Sequence, residues 1–144
     1  MKLNRLAMLL TSFALFAQQP VGSQRVLGVL SPANEDLIVA PDKVRVGQEF
    51  TVSVTTIGGG CDEEGDNGVI VGNAAASIHV YDFSAANQPN AVCPAIIKQF
   101  RHDVPLSFTE PGQAVIRVWG RRTGRYFPDG GAPTVLEVRV EVAP

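Results

Sequence analysis

Residues 43–61 read KVRVGQEFTVSVTTIGGGC. In an extended chain Phe50, Val52, Val54 and Thr56 fall on one side and Thr51, Ser53 and Thr55 on the other. Strict alternation rich in β-branched residues predicts a half-buried strand with one dry face. Gly47-Gln48 is a turn signal before it, and Gly58-Gly59-Gly60 stops it. A shorter alternation, Val44 and Val46, leads in, so Lys43 to Ile57 reads as a hairpin-like pair.

The same pattern recurs outward from that stretch. Leu37 to Ala40 is a short apolar run stopped by Pro41-Asp42 and reads as a first edge strand. Gly58 to Gly68 reads as a loop carrying Cys61, Asp62, Glu63, Glu64 and Asp66, and Val69 to Val71 as a small apolar patch. Ser77 to Phe83 alternates with both faces apolar enough for a central strand. Ala95 to Phe100 reads as a short strand. Val104, Leu106 and Phe108 form another, and Pro105 makes it an edge strand or places it beside a bulge. After the Glu110-Pro111-Gly112 turn, Ala114, Ile116 and Val118 face inward. Gly120 to Pro133 reads as a long loop. The chain closes with Leu136, Val138, Val140 and Val142 facing in, and Glu137, Arg139 and Glu141 facing out. No helical periodicity and no internal repeat stands out past the N-terminus.

Met1 to about Ser23 reads as a secretory signal peptide, with Lys2 and Arg5 before the apolar run Leu6 to Ala17. It is shorter than the ~20 apolar residues that cross a bilayer. Cleavage is expected after Ala17 or after Ser23. Residues 24–34 then read as a flexible leader and residues 35–144 as one domain. The mature chain carries no transmembrane segment on this reading, and its place is secreted or periplasmic. The whole chain has 12 basic and 14 acidic residues, a net charge of −2. Without Lys2 and Arg5 the mature balance is 10 against 14, or −4. That argues against a nucleic-acid binder held by phosphate contacts. Hydrophobic residues at 45% and charged residues at 18% describe a globular chain.

About seven short strands separated by turns predict an all-β antiparallel sandwich with Greek-key connections. Gly47 to Val54 resembles the second strand of bacterial immunoglobulin-like and fibronectin-III-like modules. Phe108 to Val118 resembles their turn into the sixth strand. The resemblance implies an immunoglobulin-like sandwich over most of Asp42 to Val142. It also places the loops after the second and sixth strands at one end, bringing acidic Cys61–Gly68 near Arg121, Arg122 and Arg125. The corner-tyrosine position holds Ala114 and the sixth strand has no cysteine, which excludes an antibody-type intersheet disulfide. No functional residue carries over.

Cys61 and Cys93 are the two cysteines. In an exported chain they are expected to form one disulfide, stabilising by roughly 3–4 kcal/mol on the chain-entropy view. Asp62, Glu64 and Asp66 alternate as calcium ligands do, but the glycine comes late and position 73 is asparagine where a bidentate glutamate is needed. His79, His102, Asp82 and Asp103, with several serines, supply the residue types of a hydrolase triad without a nucleophile-elbow motif. Two histidines and two paired cysteines are too few for zinc. Trp119, Arg121, Arg122, Arg125, Tyr126 and Phe127 form a candidate binding rim. The expectation is an exported, non-catalytic binding or adhesion-type module, without a cofactor, for a protein or glycan at the cell surface. The alternatives are a structural or accessory subunit of a surface assembly and, third, a small hydrolase or calcium-binding protein.

Overall fold

The computed structural model describes residues 22–31, 36–122 and 131–144. Ten strands lie among them: β1 (Gln24–Leu27), β2 (Val29–Leu30), β3 (Ile38–Val39), β4 (Lys43–Arg45), β5 (Phe50–Gly58), β6 (Asp62–Val71), β7 (Ala75–Ser84), β8 (Lys98–Leu106), β9 (Gly112–Arg122) and β10 (Pro133–Ala143). The fold is all-β, as the alternating pattern predicts. The strands form one mixed sheet that curls like half a barrel, where two separate antiparallel sheets were expected.

The decisive strand behaves as read. Phe50, Val52, Val54 and Thr56 are buried, and β5 pairs antiparallel with β8 along its whole length, from Phe50–Leu106 to Gly58–Lys98. On its other side lies β3. The inward rows of β7, β8, β9 and β10 meet the row of β5 in one core containing Ile78, Val80, Val104, Ala114, Ile116, Val118, Val140 and Phe108. Pro105 is tolerated because, among the described residues, β8 has β5 as its one ladder partner.

Four expectations need correction. First, β4 does not pair with β5. Gly47, at φ 73°, turns the chain, and β4 runs parallel to β10, tied by a Lys43–Glu141 ion pair at 2.8 Å. Second, the acidic stretch is a strand, not a loop. It forms most of β6, paired antiparallel with β7 through a bulge between Glu64 and Asn67. Its carboxylates read as loop polarity but are the ordinary guard of an exposed edge. This extra strand reverses the chain once more, so β7 arrives parallel to β9, with Ala75–His79 beside Val115–Trp119. Third, the two strands read at 95–100 and 104–108 are a single β8, which begins at Lys98 and includes Phe100.

Fourth, the expected leader is built into the sheet from Gln24 to Leu30. β1 pairs with β7, and β2 bridges β5 and β9, with Val29 and Leu30 buried. Gly28 makes the join. Its N–H donates to Val80 O, and its carbonyl accepts from Arg121 N. A Cβ there would lie 2.5 Å from Thr56 Cγ2 and 2.9 Å from Asp82 Oδ2, so only glycine passes. The expected signal peptide falls on residues 1–23, of which 1–21 lie outside the described residues.

Candidate functional site

Two arrangements stand out, one under the sheet and one on its solvent face. The buried one joins three strands. His102 Nε2 on β8 lies 3.0 Å from Thr56 Oγ1 on β5 and 3.1 Å from Asp82 Oδ1 on β7. The His102 and Asp82 side chains are 1% and 5% exposed. A carboxylate only accepts hydrogen bonds, so Nε2 carries the proton and donates toward Asp82. Nδ1 is buried without a partner, which suits an unprotonated nitrogen. A hydrolytic triad needs the acid on one ring nitrogen and the nucleophile on the other. Here the acid and the hydroxyl share Nε2, and the group is sealed from substrate. The arrangement can hold three strands in register, but it cannot relay a proton to a nucleophile. Asp103 stands apart on the surface. Hydrogen bonds from Ser53 (2.6 Å) and Arg101 (2.9 Å) hold its carboxyl below the usual range. His79 belongs neither to the His102 cluster nor to the Asp103 group.

Beside the buried cluster, Arg121 on β9 is half-buried and its Nε donates to Leu27 O. Burial pushes its guanidinium below the ordinary value, while nearby Asp62 and Asp82 oppose that shift. Lys98 Nζ donates to the carbonyls of Gly60 (3.1 Å) and Asp62 (2.8 Å). Cys61 and Cys93 are disulfide-bonded across 32 residues, with Cα atoms 5.0 Å apart. Asp62 of the acidic stretch thus lies within the field of Arg121. Asp66 instead pairs with Arg25 at 2.7 Å, a partner that sequence reading placed in the leader. Glu64 is exposed on β6. Among the described residues no three His, Cys, Asp or Glu side chains are grouped to hold a metal ion.

The solvent-facing arrangement is a row of planar groups across β1, β7 and β9. The parallel β7–β9 ladder sets His79 opposite Trp119, and their rings stack at 5.6 Å with planes 7° apart. Two residues along β7, Tyr81 lies 6.5 Å from His79 at 19°. The Arg25 guanidinium covers the Tyr81 ring, 3.4 Å from its centroid. Both ends are tied: Trp119 Nε1 donates to Ser77 Oγ at 2.9 Å, and Arg25 is held by Asp66. Gly68 on β6 lies opposite His79, so no side chain from the edge strand covers that position. Of the expected rim, Trp119 belongs to this row, Arg121 faces the buried cluster, and Arg122 is exposed at the end of β9. Arg125, Tyr126 and Phe127 lie outside the described residues.

The row was missed in the sequence for a definite reason. His79 and Tyr81 share a face of β7 by alternation, but only the parallel β7–β9 pairing brings Trp119 beside them. No protein-family model matches the chain, and no curated protein or solved structure is detectably similar to it.

Proposed function

We propose that the chain is an exported, non-catalytic binding module whose contact face is the row Arg25–Tyr81–His79–Trp119. The observation that carries this reading is that row's place on the solvent side of the sheet, locked at both ends by hydrogen bonds. Rigid aromatic groups offer contact area with little conformational entropy to lose. Flat π surfaces beside Arg25, Asp66, Arg117 and Glu137 suit the alternating C–H faces and hydroxyl edges of a glycan. The Cys61–Cys93 bond is compatible with an oxidising compartment. No helix among the described residues is long and apolar enough to cross a membrane. The pairings β3–β5–β8 and β4–β10–β9 support a distant immunoglobulin-like origin, from which the parallel β7–β9 pair departs.

Affinity electrophoresis through gels carrying a panel of soluble polysaccharides tests the reading. Retardation by at least one of them, reduced at least tenfold in Trp119→Ala and Tyr81→Ala, is expected. Migration unaffected by every polysaccharide, or retardation unchanged in both variants, overturns it. Intact mass of the secreted protein is expected to lack at least Met1 to Ala17.

A further inference from the structure

β6 is an edge strand: among the described residues its ladder partner is β7 alone. In an antiparallel pair every second residue turns its amide and carbonyl away from the partner. Past Asp62, whose carbonyl accepts from Lys98, the outer side of β6 therefore carries donors and acceptors that no ladder partner among the described residues takes up. The strand divides by charge. Asp62, Glu63, Glu64 and Asp66 occupy its first half, whereas Asn67, Gly68, Val69, Ile70 and Val71 carry no charge. Edge strands are ordinarily guarded by charge, proline or cover. Among the described residues the second half has none of these, and it exposes Val69, Ile70 and Val71 at 39%, 69% and 48%.

We propose that this uncharged half pairs edge to edge with a second copy of the chain about a two-fold axis centred on Ile70. The charge pattern selects the occupant and its direction. A parallel partner would lay the two acidic halves side by side, with like charges opposed. An antiparallel copy centred on Ile70 carries them to opposite ends of the seam. The side-chain pattern then selects the register. Opposed residues must share a face, because side chains alternate along a strand. With Ile70 against the partner's Ile70, Val69 meets the partner's Val71 and Val71 meets the partner's Val69. Every apolar residue thus opposes a β-branched one, the favourable cross-strand combination. A slide by one step in either direction sets Ile70 against a glycine, Gly68 or Gly72. β7 places Ile78 of the core opposite Val69, so the valines continue the inner face across the seam, while Ile70 joins the outer face.

Three apolar residues a side make a small seam beside the ~1,600 Å² of a standard interface. Association is accordingly weak, with Kd between roughly 10 μM and 1 mM. Sedimentation velocity of the processed chain across that range is expected to show a reversible dimer. Ile70→Lys, which opposes two like charges, weakens it at least tenfold without disturbing the far-ultraviolet dichroism. Cysteine scanning reads the register. Under mild oxidation Ile70→Cys links to itself, Val69→Cys alone does not, and a mixture of Val69→Cys with Val71→Cys does. A monomer throughout, a dimer indifferent to Ile70→Lys, or self-linking of Val69→Cys as fast as Ile70→Cys would each overturn the proposal.

Discussion

Replacing His102 by leucine removes a ring that contacts both Asp82 and Thr56 while keeping its volume nearly constant. The Asp82 carboxyl, 5% exposed, then loses its hydrogen-bond donor at 3.1 Å. Losing a hydrogen bond to a buried charged group costs about 1.5–3 kcal/mol, and the orphaned Thr56 hydroxyl adds about 1–3 kcal/mol. Arg121 stands near enough to soften the first figure, since its guanidinium feels the Asp82 charge. About 3–5 kcal/mol in total is therefore expected, a large share of the roughly 5–15 kcal/mol that holds a domain together. Asp82→Val should cost about 1–3 kcal/mol, because it leaves His102 Nε2 a donor with only Thr56 to accept. The double variant leaves no buried carboxyl and no buried imidazole. Its loss should fall short of the sum of the single losses by about 2 kcal/mol. Urea unfolding of the three variants with the native disulfide intact measures the cycle. Additivity within about 0.5 kcal/mol would mean that His102 and Asp82 do not support each other.

The remaining expectations are quickly stated. Replacing Cys61 and Cys93 together by serine should lower stability by about 3–4 kcal/mol in denaturant, since the bond closes 32 residues, and should increase hydrogen exchange across 85–97 first. The Asp103 carboxyl titrates below its unfolded value, chiefly through the Ser53 hydrogen bond and then through Arg101. Its contribution is present above the unfolded carboxylate pKa and is lost as pH falls through the folded one. Carboxyl-carbon NMR should therefore show the Asp103 midpoint rising in Ser53→Ala, with a smaller acid sensitivity of the unfolding midpoint below about pH 4.

What was readable in the sequence was what depends on period alone. The inward rows of β5, β9 and β10 follow from alternating β-branched residues, and Pro105 narrowed its strand to an edge or a bulge. The disulfide followed from reading two cysteines as a pair in a chain expected to be exported. What was hidden depends on pairing at a distance. β6 looked like a loop because an edge strand and a loop are both solvated, and four acidic residues in five suit either. Gln24 to Leu30 looked loose because β1 and β2 are too short to show a period, and their partners lie far along the chain. Misreading β6 also misdirected β7: with one reversal omitted, its parallel approach to β9 was lost, and with it the meeting of His79 and Trp119. Asp82 and His102 were candidates by residue type, but only the sheet decides that acid and hydroxyl share one nitrogen.

The edge pairing and the aromatic row bear on each other through symmetry. A two-fold axis relating antiparallel strands stands perpendicular to their sheet, so both copies present the same face on the same side. The two β7 strands would then lie three strand spacings apart, about 14 Å, with β6 of each copy between them. A long polysaccharide could reach both rows at once, and a short oligosaccharide only one. Binding at the second row would draw on a local concentration in the millimolar range rather than on the bulk concentration. Ile70→Lys, at a position opposite Ser77 and outside the row itself, should therefore reduce retardation by a long chain at least tenfold. It should leave the affinity for a di- or trisaccharide of the same sugar unchanged. The comparison is made at protein concentrations where sedimentation shows the unaltered chain to be dimeric. Equal retardation of the two proteins there would show that the rows act singly, and a matching loss for the short sugar would show that the edge itself carries part of the site.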